Sequence, residues 1–79
     1  MKVEVRVFAT LRRYLPELGI GEPKVVDVPE STTAGELCRL LGIPLEEVKV
    51  IMRNSRQVEP DEVLADGDRV AFIPHVGGG

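Results

Sequence analysis

Hydrophobic and polar residues alternate strictly at the start of the chain. In the segment KVEVRVF, three valines fall on one side and the charged residues fall on the other: Val3, Val5 and Val7 against Lys2, Glu4 and Arg6. This alternation predicts a half-buried strand over residues 2–8. Similar short apolar runs, bounded by Gly, Pro, Asn or Asp, predict four further strands at residues 24–28, 48–53, around 57–58 and at 69–73.

One segment between the second and third strands has helical rather than alternating spacing. Its apolar residues recur at i, i+3, i+4 and i+7: Ala34, Leu37, Cys38 and Leu41. This pattern predicts an amphipathic helix over residues 33–41. Thr32 or Thr33 can cap its first turn, and Thr33 has capping-box spacing with Glu36. Gly42 suits the left-handed position that follows a last helical turn.

The connections carry weaker signals. Thr10 is expected to cap a short helical turn, which Pro16 ends early because proline disfavours helix at the residue before it. Residues 45–47 are expected to form a single helical turn. In the loop before the last strand, Val63 and Leu64 are expected to point inward. The whole order predicts an α+β domain, in which one main helix packs across a single sheet of four to five strands.

Composition narrows the functional classes. The 79 residues form one small domain, and the net charge of −3 with a pI near 5.1 disfavours binding to nucleic acid phosphates. The sequence contains no apolar run typical of a membrane span and no signal peptide pattern, so a cytoplasmic location is expected. The single Cys38 cannot form an internal disulfide, and no metal site is expected. On the apolar side of the helix, Cys38 is expected to be a buried thiol rather than a persulfide carrier.

The chain ends in FIPHVGGG, where Pro74 is expected to end the pairing of the last strand. We therefore expect a compact domain over residues 1–74 and a flexible glycine-rich tail over residues 75–79. Extended, those five residues reach about 16 Å, which is enough to enter another protein's active site. A glycine carboxylate is unhindered for activation by a nucleotide. The chain has no phosphate-binding loop and no paired His and nucleophile, so a partner would have to supply ATP and the active site. An idle tail is the alternative.

The body and the tail together resemble a known family. The stretches VRVFATLRR, NSRQV and LADGDRVAFIPHVGGG are similar to the small subunit of molybdopterin synthase, a sulfur carrier with the ubiquitin-like β-grasp fold. The most specific pattern is D-G-D-x-V-A-F, an x-P-x-V step and a terminal Gly-Gly. It departs from the family at Gly77, where Thr or Ser is common, and at His75, where a second Pro is common.

The resemblance implies a β-grasp, in which the first and last strands lie side by side at the centre of the sheet; spacing alone does not show that pairing. It also implies that an E1-like adenylyltransferase activates Gly79, next to Gly78, and that a sulfur-delivering enzyme converts it to a thiocarboxylate. The large synthase subunit would then hold the pterin precursor that receives the sulfur. No cofactor is expected on the chain itself. The residues expected to contact partners are Phe8, Arg12, Phe72, Pro74, His75, Val76 and Gly77.

The residues themselves leave several alternatives open. Phe8 and Phe72 either fill the core or form an apolar docking patch on the outer sheet face. Arg12 is either a solvated charge or a partner contact, and His75 is more simply a spacer or partner contact than a catalytic base. For the whole chain, the alternatives are a sulfur carrier for thiamin or another pathway, a ubiquitin-like protein modifier, and a β-grasp binding module with an inert tail.

Overall fold

The computed structural model describes residues 1–75. It contains five strands, one α-helix and two 3₁₀ helices. The strands are β1 (Lys2–Val7), β2 (Lys24–Asp27), β3 (Val48–Arg53), β4 (Arg56–Val58) and β5 (Arg69–Pro74). The α-helix is α1 (Ala34–Leu40), and the first and second 3₁₀ helices are Ala9–Tyr14 and Leu45–Glu47.

All five strands form one mixed sheet in the order β2-β1-β5-β3-β4. The central pair, β1 and β5, is parallel, and the other neighbours are antiparallel. In the central pair Val5 lies opposite Val70 and Val7 lies opposite Phe72. The first and last strands therefore lie side by side at the centre, and the expected β-grasp arrangement is confirmed.

Helix α1 covers one face of this sheet. Its capping box is complete, because Thr33 Oγ1 accepts a hydrogen bond from the Glu36 amide at 3.1 Å and Glu36 Oε1 accepts one from the Thr33 amide at 2.8 Å. Gly42 has the expected positive φ of 78°. The helix and the inner sheet face bury a shared core that includes Val3, Val5, Val7, Leu11, Ala34, Leu37, Cys38, Ile51, Val70 and Phe72.

Three local expectations are wrong. The first 3₁₀ helix begins at Ala9, after the extended Phe8, and no side chain caps it, so Thr10 is not the cap. Val63 is 54% exposed, because its backbone bridges to Thr33 and only Leu64 turns into the core. The last strand is one residue longer than expected, because β5 continues to Pro74 opposite Val48; Pro74 is, as expected, the residue at which its pairing ends. Proline can take this last position because nothing further in the ladder needs its missing amide.

Within residues 1–75, no helix is both long and apolar enough to cross a membrane.

Candidate functional site

The face of the sheet that points away from α1 carries a row of apolar side chains. Alternation along β3 and β5 places Met52, Ala71 and Ile73 on this outer face, and Met52 lies opposite Ala71 in the register. Phe8, one residue beyond β1, lines the same shallow depression. We call Phe8, Met52, Ala71 and Ile73 the outer-face strip. These four side chains line one depression of the outer face, together with polar residues such as Asn54 and Ser55.

Positive side chains border the strip. Arg6 and Arg69 both line the depression. Arg6 is held in place, since its guanidinium lies 2.7 Å from Glu4 Oε1 and its Nε donates to the Gly21 carbonyl at 3.1 Å. An apolar floor with basic residues at its border is a typical surface for binding a protein partner.

The last residues that the structure describes, Pro74 and His75, lie at the end of β5, the strand that carries Ala71 and Ile73 of this strip. The last strand pairs as far as Pro74, which is buried, and His75 follows as an exposed residue outside the strand. On the β1 side of β5, strand pairing stops earlier, at Val7 opposite Phe72, and the first 3₁₀ helix packs there. The end of β5 thus lies between the first 3₁₀ helix on one side and the start of β3 on the other.

The structure separates the sequence-predicted contact residues into two groups. Phe8 and His75 are exposed, and Arg12 is half-buried on the first 3₁₀ helix. The Nε atom of Arg12 is buried and has no hydrogen-bond partner within residues 1–75. For Phe72 and Pro74 a correction is needed: Phe72 has 0% exposure in the core, and the buried Pro74 packs inside its own domain. Their side chains are therefore not available to a partner.

The remaining predicted site residues, Val76, Gly77, Gly78 and Gly79, lie outside the described residues. Sequence reasoning missed Met52, Ala71 and Ile73. The sequence nevertheless indicates these residues through the alternation of side chains along a strand. If Ile51 and Phe72 point to the inner face, their neighbours Met52, Ala71 and Ile73 must point to the outer face.

The only cysteine of the chain is unsuited to carrying sulfur. Cys38 is fully buried on α1, and its thiol donates to the Ile43 carbonyl at 3.3 Å. Burial raises the pKa of Cys38 to about 11, against an ordinary value of 9.0. Within the described residues, no cluster of His, Cys, Asp and Glu is arranged to hold a metal ion. A reaction that needs an exposed, reactive group therefore has to use a group other than the Cys38 thiol.

Comparison with solved structures gives matches over nearly whole chains. SAMP1 from Haloferax volcanii superposes with a TM-score of 0.74 at 24% identity, covering 100% of both chains. A Pyrococcus furiosus protein provisionally designated molybdopterin converting factor, subunit 1, superposes with a TM-score of 0.71 at 27% identity, covering 95% of this chain and 98% of that one. The complex of subunits 1 and 2 of molybdopterin-converting factor from Helicobacter pylori includes a chain with a TM-score of 0.62 and 27% identity, with 100% of both chains covered.

No curated protein sequence matches this chain significantly. The model of the ThiS family, in contrast, matches residues 5–79, which is nearly the whole sequence. With the strand order described above, these matches confirm the ubiquitin-like β-grasp fold expected from the resemblance. The chain belongs to the ThiS family, whose members share the ubiquitin-like sulfur-carrier fold.

Proposed function

We propose that this protein is a sulfur carrier, in which the C-terminal carboxylate of Gly79 is adenylated by an E1-like enzyme and then converted to a thiocarboxylate. The observation that carries the proposal is the family match, which extends through residue 79 and so includes the Gly-Gly end. The burial of Cys38 supports it, because the only thiol of the chain is enclosed in the core.

The proposed chemistry needs little from the chain beyond an accessible carboxylate. A carboxylate oxygen attacks the α-phosphorus of ATP and pyrophosphate leaves. Sulfide (HS⁻) from the sulfur donor then displaces AMP at the carbonyl carbon and loses its proton to solvent, which leaves the thiocarboxylate. A glycine terminus leaves that carbon unhindered. The partner supplies the nucleotide site and the sulfur, and this chain supplies the acyl group and a docking surface.

The outer-face strip is the proposed docking surface for these partners. It lies on the side of the sheet that α1 leaves open, and it ends near His75, the last residue that the structure describes. The activating enzyme would bind the strip and receive the last residues in its active site. The acidic net charge of the chain does not prevent local contacts through Arg6 and Arg69.

We propose molybdopterin biosynthesis as the pathway, with the large synthase subunit as the second partner. The support comes from two solved structures at 27% identity. One is a protein provisionally designated molybdopterin converting factor, subunit 1, and the other is a complex of subunits 1 and 2 of molybdopterin-converting factor. Reconstitution with a pterin precursor and with a thiamin precursor, each with its own acceptor enzyme, tests this part. Sulfur transfer to the pterin alone is expected, and transfer only to the thiamin precursor would overturn the pathway but leave the carrier role.

The carrier role is tested by mass spectrometry of the intact protein. After incubation with ATP, an E1-like enzyme and a sulfur donor, we expect a species with one oxygen replaced by sulfur at the C-terminus. Deletion of Gly78 and Gly79 should remove that species and leave the unfolding transition unchanged, because strand pairing ends at Pro74. The proposal would be overturned if only the carboxylate form were found while the same enzyme loaded another carrier in the same assay.

A further inference from the structure

Two arginines, Arg6 and Arg69, are the charged side chains that line the depression of the outer-face strip; among the described residues, no Asp or Glu lines it. The chain as a whole is acidic, with 13 Asp and Glu against 10 Lys and Arg. Two other depressions of the surface follow this balance, with charged linings in which carboxylates outnumber guanidiniums. These linings are Glu30, Glu36 and Arg39 beside α1, and Arg53, Arg56, Glu59, Asp61 and Glu62 beside β4. The depression of the strip is therefore a positive site on an acidic domain.

The strand register orders the charged and apolar side chains along β5. Arg69, Ala71 and Ile73 alternate with buried residues and share the outer face, so neighbours in this row lie about 7 Å apart. Arg6 lies opposite Ala71 on the β1 side, and Met52 lies opposite Ala71 on the β3 side. The positive charges therefore lie at the middle and toward the start of β5, and the apolar side chains lie from the middle toward its end.

The two guanidiniums differ in how far they are fixed and compensated. Arg6 is held by Glu4 Oε1 at 2.7 Å and by the Gly21 carbonyl at 3.1 Å, so it needs little further ordering, but part of its charge is compensated. The Arg69 side chain forms no ion pair and no hydrogen bond with any group of residues 1–75, while its amide donates to Asn54 Oδ1 at 2.9 Å. Arg69 therefore offers an uncompensated charge from a fixed backbone position.

We propose that this depression receives a segment of the activating enzyme that carries a large apolar side chain and, toward the start of β5, at least one carboxylate. This inference rests on the proposed carrier function and names the chemistry of its docking partner. The carboxylate pairs with Arg69 and with the fixed guanidinium of Arg6, and the apolar side chain covers Met52 and Ile73. A nucleotide phosphate would engage the arginines alone and leave the apolar floor in contact with water. The acidic remainder of the domain repels an acidic segment elsewhere, which favours docking in one place.

Calorimetric titration of an E1-like enzyme with carrier variants, at several salt concentrations, tests the charge pairing. Arg69→Gln is expected to raise Kd about fivefold, and Arg69→Glu about tenfold or more, because reversal adds repulsion. Kd should also depend less on salt concentration for Arg69→Gln than for the wild type, because one ion pair fewer is screened. A role of Arg69 in folding alone would leave the salt dependence unchanged. Arg39→Gln is the matched control: it removes the same charge from an exposed residue beside α1, and both quantities should stay at the wild-type value.

A peptide probe tests the orientation without the enzyme. The probe is a blocked peptide of two glutamates, an alanine, a leucine and a phenylalanine, and its control has two glutamines in place of the glutamates. In NMR titration the acidic probe should shift the amides of Met52 and Ala71 more than the control peptide does. A nitroxide at the glutamate end should broaden the signals of Arg69 and Asn54 more than that of Ile73. Equal shifts with both peptides, or stronger broadening at Ile73, would overturn the proposal.

The outcomes separate this inference from the carrier role. If the enzyme adenylates wild type and Arg69→Glu with the same KM, the docking inference fails and the carrier role stands. If the enzyme binds the wild type with the expected salt dependence but forms no adenylate on it, the carrier role fails and the docking inference stands. Shifts at Arg6 and Arg69 with ATP alone, and none with the acidic peptide, would assign the depression to a nucleotide and overturn the inference.

Discussion

Phe8 and Phe72 lie on opposite faces of the same sheet, although Phe8 directly follows the residue that pairs with Phe72. Val7 and Phe72 are partners across the central parallel pair, and both point toward α1. The next residue of the first segment, Phe8, is extended and is 37% exposed beside the outer-face strip. Of the stretches that resemble the family, the first therefore contributes a surface residue, Phe8, and the last contributes a core residue, Phe72.

Because of this difference, we expect substitution by alanine to reduce mainly the stability of the domain at Phe72 and mainly the binding of a partner at Phe8. Phe72→Ala should lower the free energy of unfolding by about 3–5 kcal/mol, because it opens a cavity in the core. Phe8→Ala should lower it by less than about 1 kcal/mol, yet weaken binding to the activating enzyme about tenfold or more if the strip is the docking surface. Chemical denaturation and calorimetric titration check the two effects. Wild-type affinity for folded Phe8→Ala would exclude Phe8 from the interface.

Cys38 should be inert in the native protein. With a pKa of about 11 rather than 9.0, its thiolate fraction at pH 8 is about a hundredfold lower than that of an ordinary thiol, and its sulfur is also enclosed. Alkylation by iodoacetamide should proceed only as fast as the domain opens, and denaturant should restore the ordinary rate. Cys38→Ala should lose about 1–2 kcal/mol of stability and still accept sulfur at the C-terminus. Loss of sulfur loading in the folded variant would point to Cys38 as a carrier.

Acid should weaken the turn that begins β5. Burial acts to raise the pKa of Asp68, but hydrogen bonds from the Ala65 amide, Asn54 and Arg53, at 2.7, 2.9 and 2.7 Å, outweigh it, and the pKa lies below its ordinary 3.8. A lowered pKa in the folded state gives stability that is complete above about pH 5 and is lost as the pH falls through the folded value.

Asp68→Asn is therefore expected to cost about 2 kcal/mol at pH 7, because it removes a charged partner of Arg53. The difference between wild type and variant should shrink steadily below pH 4. Urea denaturation at pH 7, 5, 4 and 3 measures it. Asp66→Asn is a suitable control, since Asp66 Oδ1 accepts a single exposed hydrogen bond from the Lys2 amide. A constant difference across the series would show that the Asp68 charge is not the source of the stability.

Much of this fold follows from local signals in the sequence. The alternation of valines, the Thr33 and Glu36 capping box and the glycine after α1 each have a direct physical meaning and are found where expected. Some predicted strand ends differ from the observed ends by one residue, because pairing with a neighbouring strand, rather than local propensity, decides where a strand stops. Pairing with Val48, for example, extends β5 to Pro74.

The site was harder to predict because it depends on contacts between distant segments. The phase of Phe72 was readable, since it alternates with Arg69, Ala71 and Ile73, but a family pattern does not distinguish a core residue from a contact residue. The hydrogen bond between Tyr14 and Glu47 spans 33 residues of sequence. No local pattern indicates such a pair until the strand order places both segments at the end of β5.

Gly35 in the first turn of α1 shows how such a contact reverses a local rule. Helix propensity alone predicts that Gly35→Ala stabilises the protein by about 1 kcal/mol. In the structure an added Cβ would lie 3.1 Å from both the Cβ and the carbonyl oxygen of Pro60. The Pro60 segment cannot retreat easily, because its carbonyl accepts from the Gly35 amide at 2.8 Å and that of Glu62 accepts from the Ala34 amide at 2.9 Å.

We therefore expect Gly35→Ala to destabilise the protein by about 1–2 kcal/mol, as overpacking does elsewhere, and to accelerate hydrogen exchange at the Ala34 amide. Gly42→Ala serves as the control: its φ of 78° is strained for alanine, but no atom lies within 4 Å of the added Cβ. It should destabilise the end of α1 without affecting exchange at Ala34. A higher melting temperature for Gly35→Ala would mean that the Pro60 segment moves away from the added Cβ. The contact with Pro60 would then not require glycine at position 35.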